Sequence, residues 1–226
     1  MPENRTAILI FSRNAHEEFR HKSWGLNFIR FCQVHKTLIN KVRDTAAQTG
    51  LPVFEADSTI QHGTGFGSRL VSAIDWVRAQ GYAQMIIIGN DSPGLTQAHL
   101  LKAKTLLENG QSVIGRDSHG GAYLIGLDTE KINKQTIEHI AWQTNLVFEQ
   151  LQNCLEQVAV LQEVEIDLNT KRDLRLLSGA KTNLKQLIQW IWSLVFGTAS
   201  QGLMLPVSVN PAYHASFPHR GPPALF

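Results

Sequence analysis

The residues of this sequence best suited to chemistry are a few carboxylates, cations and one imidazole placed at turns. Asp91 follows Met85-Ile86-Ile87-Ile88, an apolar run that suits a strand covered on both faces, and Pro93-Gly94 forces a turn just after it. At the carboxyl end of a strand in an open α/β sheet, such a carboxylate is placed to hold a hard divalent cation that grips substrate phosphates. A simple Asx-turn is the plainer alternative. Asp167 and Asn169 end a second strand-like piece and offer one oxygen ligand each, or else only introduce a helix. His119, next to Gly120-Gly121, has the chemistry of a ligand, an acid/base group or a turn residue. His119 and Asp91 by themselves are too few to specify a transition-metal site.

Anion-binding groups fall in two places. In Gly63-Thr64-Gly65-Phe66-Gly67-Ser68-Arg69-Leu70, Gly65 and Gly67 leave backbone N–H groups open at a helix start, and Arg69 adds a guanidinium fork. Residues 12–24 read as a polar loop after the first strand and carry Arg13, Arg20, His21 and Lys22. That loop has no glycine before Gly25 and has Glu17 and Glu18 in its middle, so it is neither a P-loop nor a Rossmann fingerprint. It is either a solvated charged loop or a clamp on nucleotide phosphates.

The elements that must position these groups follow from hydrophobic period. Residues 6–11 predict a strand; 26–49 predict a helix with Phe28, Phe31, Cys32, Leu38, Ile39, Val42 and Ala46 on its apolar side, and 51–56 a second strand. His35 on that stripe reads as a packed histidine. Leu70, Ala73, Ile74 and Val77 share one helix face, ending near Gly81. Thr96 is placed to cap a helix to Glu108, with Leu95 and Leu100 as a hydrophobic staple. Residues 112–116 and 122–127 predict an antiparallel strand pair around the Asp117–Gly121 turn. A surface loop with a short helix fills 128–141, a helix carries Leu146, Val147, Leu151 and Cys154, and short β-like pieces cover 158–161 and 164–166. Thr170 and Asp173 form a capping pair for a helix through Leu177. A further apolar helix over 181–196 can close the core, form a dimer contact or lie on a membrane, and its few lysines favour core or dimer. Residues 197–226 hold five of the eight prolines and no acidic residue, and read as an extended tail.

Composition narrows the function. The chain has 226 residues, 43% of them hydrophobic, enough for one large domain with a real core plus an appendage. With 21 Lys and Arg against 19 Asp and Glu, it lacks the basic stripe that nucleic acid requires. Cys32 and Cys154 read as free, buried thiols of a reducing compartment. No signal peptide or membrane-length apolar run is evident, so a cytoplasmic location is expected.

Five motifs occur in order: Gly63 to Leu70, Ile88 to Thr96, Gly120 to Leu127, Trp142-Gln143-Thr144, and Asp167 to Leu174. In this the chain resembles a family of uncharacterised bacterial GT-A glycosyltransferase-like proteins, in the nucleotide-diphospho-sugar transferase superfamily, related to the molybdenum-cofactor and phospholactate guanylyltransferases. The resemblance covers roughly residues 6–177. It implies an α/β three-layer sandwich with a mostly parallel mixed sheet and one antiparallel strand, forming a nucleotide-binding domain over residues 1–180.

The resemblance also implies a metal-dependent glycosyltransferase or nucleotidyltransferase using a nucleotide-activated donor and an acceptor of unstated identity. Asp91 matches the family's principal metal carboxylate, and Mg or Mn on Asp91 and Asn169 is the expected cofactor. Arg13, Lys22, Gly65, Gly67 and Arg69 are expected on the nucleotide, with Asp91 and His119 catalytic. Three departures fall in the site. The family's first loop has Pro and Gly before a Lys-Thr-Arg cluster, where this chain has residues 14–22. The family's Asp-Gly-Gly-Tyr is here His119-Gly120-Gly121-Ala122, and its late Asp-x-Asp-Thr is Asp167-Leu168-Asn169-Thr170. The alternative is a catalytically impaired relative that binds a nucleotide or sugar, or an interaction module that uses the C-terminal helix or tail, including as a homodimer.

Overall fold

The computed structural model describes residues 6–22, 24–179 and 184–197. Six strands, Thr6–Phe11 (β1), Val53–Ala56 (β2), Gln84–Ile88 (β3), Ser112–Arg116 (β4), Ala122–Asp128 (β5) and Val158–Val160 (β6), form one sheet in the order β2-β1-β3-β5-β4-β6. Only β5 runs against its neighbours. Side chains alternate across a strand, so the apolar run of β3 feeds two cores: Met85 and Ile87 point to one face, Ile86 and Ile88 to the other. A strand apolar on every residue must be covered on both sides, and it is.

On the first face pack Phe66–Ala79 (α3), Lys134–Glu138 (α5) and Val147–Cys154 (α6), through Leu70, Ile74, Ile137 and Leu151. The second face is covered by Phe28–Ala47 (α2) and Gln97–Glu108 (α4), through Ile39, Val42, Leu100 and Leu107. The expected caps form. Thr96 Oγ1 accepts from His99 N at 3.4 Å, and Leu95 and Leu100 are buried in the same cluster. Thr170 and Asp173 make a reciprocal capping box on Lys171–Ser178 (α7).

Three expectations need correction. Residues 12–24 are not simply a loop, because Ala15–His21 is a helix (α1). Asn14 caps it by accepting from Glu17 N at 2.9 Å, and acidic Glu17 and Glu18 in the first turn with basic Arg20 and His21 in the last complement its dipole. Residues 164–166 are not a strand but contribute one isolated bridge, Asp117 to Glu165. Cys32 and Cys154 are free but half-buried.

The C-terminal helix Lys185–Phe196 (α8) turns its stripe inward. Ile188 and Ile191 are buried against Phe31, Val34 and Leu38 of α2 and Leu174 and Leu177 of α7. Beyond Gly197 the proposed extended tail lies outside the described residues. No helix among the described residues is long and apolar enough to cross a membrane.

Candidate functional site

A cavity of about 810 Å³ opens where β1 and β3 end and α3 begins. Parallel strands deliver their carboxyl ends to one edge, so the loops after β1 and β3 meet there. Of the residues singled out in the sequence, Arg13, Lys22, Gly65, Arg69, Asp91, His119 and Asn169 all line it, as does Asp167. Gly67 does not. It sits in the first turn of α3, where a Cβ would overlap Glu138 O, so its missing side chain serves the packing of α3 on α5.

Along one wall runs a chain of alternating charges. Arg69 Nη1 lies 2.7 Å from Glu17 Oε1, and Arg13 reaches Glu17 at 4.0 Å and Glu18 Oε2 at 3.2 Å. Lys22 Nζ then bridges Glu18 Oε1 at 2.7 Å and Asp91 Oδ2 at 3.0 Å. The third proton of the ammonium goes to Asn169 Oδ1 at 3.2 Å. Every cation expected on a nucleotide phosphate is thus already paired, in large part by the glutamates of α1. Burial works against the charge on Lys22, but the carboxylates of Asp91 and Glu18 outweigh it and hold the ammonium above the usual lysine range. For Asp91, burial pushes the carboxyl up and the Lys22 charge more than reverses it, leaving it below the usual carboxylate range.

The sequence expectation places Mg or Mn on Asp91 and Asn169. As arranged, both oxygens and that of Glu18 are acceptors of one ammonium. Among the described residues no three His, Cys, Asp or Glu side chains gather as a metal centre needs. In this arrangement the oxygens of Asp91 and Asn169 are taken up by the Lys22 ammonium rather than left open to a divalent cation.

The loop after β3 is tied to the segment before α7: Asp91 O accepts from Leu168 N at 2.7 Å, and Ser92 Oγ donates to Asp167 Oδ1. Burial, with the nearby charge of Asp91, pushes the Asp167 carboxyl well above its usual range. Asp117 organises the turn between β4 and β5, with Oδ1 accepting from His119 N at 2.6 Å and Gly121 N at 2.8 Å. Gly120 takes φ +86°, and a Cβ there would overlap Asn145 O, so the turn seats tightly on the entry to α6.

His119 consequently reaches back over the cavity. Its Nε2 lies 3.1 Å from Asp173 Oδ1, a carboxylate only 1% exposed. That oxygen has no hydrogen bond of good geometry, while Oδ2 accepts from Thr170 N at 2.6 Å, Thr170 Oγ1 at 2.9 Å and Asn169 N at 3.1 Å. Asp173 read as a helix cap alone in the sequence. The cavity is also lined by aromatic rings: Phe66 and Trp142 have centroids 5.0 Å apart with planes tilted by 35°, and Trp142 Nε1 donates to Ile137 O at 2.8 Å. His35 lies behind the charged wall, with Nε2 3.1 Å from Arg13 O and 3.4 Å from Asn90 Nδ2.

Glu17, Glu18, Asp117 and Asp173 are the site residues that sequence reasoning missed. A signal existed for the first two, since Asn14 with Glu17 three residues on, and Glu18 with Lys22 four on, have the spacing of a capped, ion-paired helix.

Residues 33–144 match the family described as "Uncharacterized protein conserved in bacteria (DUF2064)". Across that segment the chain is similar to this family. The DUF2064 segment includes Gly65, Arg69, Asp91 and His119, whereas Arg13, Lys22 and Asn169 lie outside it. A crystal structure described as a candidate nucleotide-diphospho-sugar transferase from Desulfovibrio desulfuricans G20 aligns with a TM-score of 0.70 at 17% identity, covering 85% of this chain and 97% of that one. A homologue of Mycobacterium tuberculosis Rv0371c, from Mycobacterium sp. strain JC1, aligns at a TM-score of 0.49 and 13% identity over 76% of this chain and 94% of that one. The first likeness shows the fold, which is GT-A-like. No curated protein matches the sequence.

Proposed function

We propose that the protein transfers a group from a nucleotide-activated donor, most closely a nucleotide-diphospho-sugar, to an acceptor hydroxyl. The observation that carries this reading is one cavity lined by a row of cations, an aromatic pair and an imidazole on a buried carboxylate. Arg13 and Arg69 supply guanidinium forks for donor phosphates, and the Phe66–Trp142 wall supplies an apolar face for base or sugar. His119 accepts the proton of the attacking hydroxyl, and Asp173 positions the imidazole. As the acceptor oxygen bonds to the transferred carbon, the bond from that carbon to the departing phosphate oxygen breaks. The negative charge that leaves on the phosphate faces the cationic wall. No step of this scheme runs through a metal.

One observation favours the second reading, a protein that binds such a ligand without turning it over: Arg13, Lys22 and Arg69 are each engaged by a carboxylate of the chain itself. Release of nucleoside diphosphate from a panel of nucleotide sugars, with binding followed in parallel by thermal denaturation, separates the two. Transfer predicts consumption of one donor, with turnover of His119→Ala lower by roughly 10²–10⁴-fold while binding is retained. Binding without consumption leaves the second reading, and neither binding nor consumption by any donor refutes both.

A further inference from the structure

We propose that Lys22 is the resident cation of this site, its ammonium holding the place between Asp91 and Asn169 that a divalent ion would need, so that a nucleoside diphosphate is bound without metal. The inference rests on the transferase reading for the identity of the ligand, but not for the identity of the cation. Three oxygens from three separate parts of the fold converge on Lys22 Nζ: Glu18 Oε1 at 2.7 Å from α1, Asp91 Oδ2 at 3.0 Å after β3, and Asn169 Oδ1 at 3.2 Å before α7. An ammonium has three protons, so this arrangement uses all of them. The Lys22 side chain is 12% exposed, which marks a built-in group rather than a surface lysine that happens to rest there.

The alternative cation would have to displace all three contacts together. A magnesium ion requires six oxygens at about 2.0–2.1 Å, and it dehydrates reluctantly. The segment before α7 turns an amide, Asn169, toward this point, while the carboxylate of Asp167 is engaged by Ser92 Oγ. A single positive charge from the chain suits Asp91 together with Glu18, which is also shared with Arg13. It also cancels the charge of Asp91 at the point where that carboxylate would otherwise repel an approaching phosphate.

Removing the ammonium should expose the oxygens it now occupies. In Lys22→Ala, Glu18, Asp91 and Asn169 become a two-carboxylate, one-amide oxygen set of the kind that Mn²⁺ accepts. The variant should therefore gain the metal dependence that the wild-type protein lacks.

The test uses the full chain freed of metal by chelator. The probes are Mn²⁺, followed by the loss of its free-ion electron paramagnetic resonance signal, and a panel of ADP, CDP, GDP, UDP and dTDP, followed by titration calorimetry with chelator or with Mn²⁺. The expected result is that wild-type protein leaves the free Mn²⁺ signal unchanged and binds one nucleoside diphosphate equally well in both conditions. Lys22→Ala should lose at least tenfold in that affinity under chelator, take up Mn²⁺ and recover binding with it. Uptake of Mn²⁺ by the wild-type protein that Asp91→Asn abolishes, or a tenfold or greater gain in its nucleotide affinity on adding Mn²⁺, overturns the proposal, whether or not the lysine variant folds. If no nucleotide binds in either condition while wild type excludes Mn²⁺ and Lys22→Ala takes it up, the cation assignment stands and the donor reading falls.

Discussion

Removing the Asp173 side chain should unsettle both the fold and the site. The residue is 1% exposed, and its Oδ2 accepts from Thr170 N, Thr170 Oγ1 and Asn169 N at 2.6, 2.9 and 3.1 Å. In Asp173→Ala the reciprocal half of the α7 cap is lost, at about 1 kcal/mol. Two backbone donors, part-buried in these contacts, lose their acceptor, which adds roughly 1–3 kcal/mol. The Thr170 cap on the N–H groups of Arg172 and Asp173 survives, which keeps the sum near ~3 kcal/mol. For a chain of this size that corresponds to a fall in Tm of roughly 6–12 °C. Asp173→Asn keeps one oxygen for Thr170 N and should cost about 1 kcal/mol. Urea denaturation of the full chain at neutral pH measures both. The double variant with His119→Ala isolates the contribution of the His119 contact, which, with His119 45% exposed, should be under ~1 kcal/mol. A loss below about 0.5 kcal/mol in Asp173→Ala, the size of an ordinary surface change, would show that the carboxylate anchors neither α7 nor Asn169.

Two further outcomes follow from the packing. Ile191, fully buried between α8, α7 and α2, should cost about 2–5 kcal/mol when changed to Ala, and a negligible change in the urea midpoint would mean that α8 does not unfold with the domain. Burial lowers the pKa of His35 despite its contact with Arg13 O. A group whose folded pKa is depressed favours unfolding as it takes up its proton, so stability present above the ordinary histidine range is lost as pH falls through the folded value. Denaturation midpoints should therefore decline from neutral to mildly acid pH, and decline less in His35→Gln; identical pH profiles would refute this.

What the sequence made legible was whatever depended on local period or on a single chain segment. The run around β3 announced a strand covered on both faces, and the caps at Thr96 and Thr170 stood where spacing put them. The strand pair at 112–127 was equally plain, because turn and alternation agree there. The gathering of Arg13, Lys22, Gly65, Arg69, Asp91, His119 and Asn169 around one cavity follows from parallel strands sharing an edge, and was also readable. The partner choices of charged groups were not. Glu17 and Glu18 looked like evidence against phosphate binding, yet they engage the very cations expected to do it. Whether Lys22 meets a phosphate or Asp91 is decided by contacts 69 and 147 residues apart, on which local pattern is silent. Gly67 is ambiguous for the opposite reason: a glycine at a helix start suits an anion and a tight helix crossing equally well, and here it packs on Glu138.

The long separation between the halves of the site bears on how the molecule is made. The Ser92–Asp167 contact joins residues 75 apart, and at roughly 5–20 residues per second of synthesis the second partner follows the first by about 4–15 s. Through that interval β1, β2, β3, α1 and α2 can already meet on the nascent chain, and with them Glu18, Lys22 and Asp91. The ammonium can thus neutralise a carboxylate at the newly formed sheet edge before Asn169 has been translated. On this order of events the charged wall forms early, as part of the folding of the amino-terminal half, and the segment from Asp167 to Asp173 arrives afterwards to close over it.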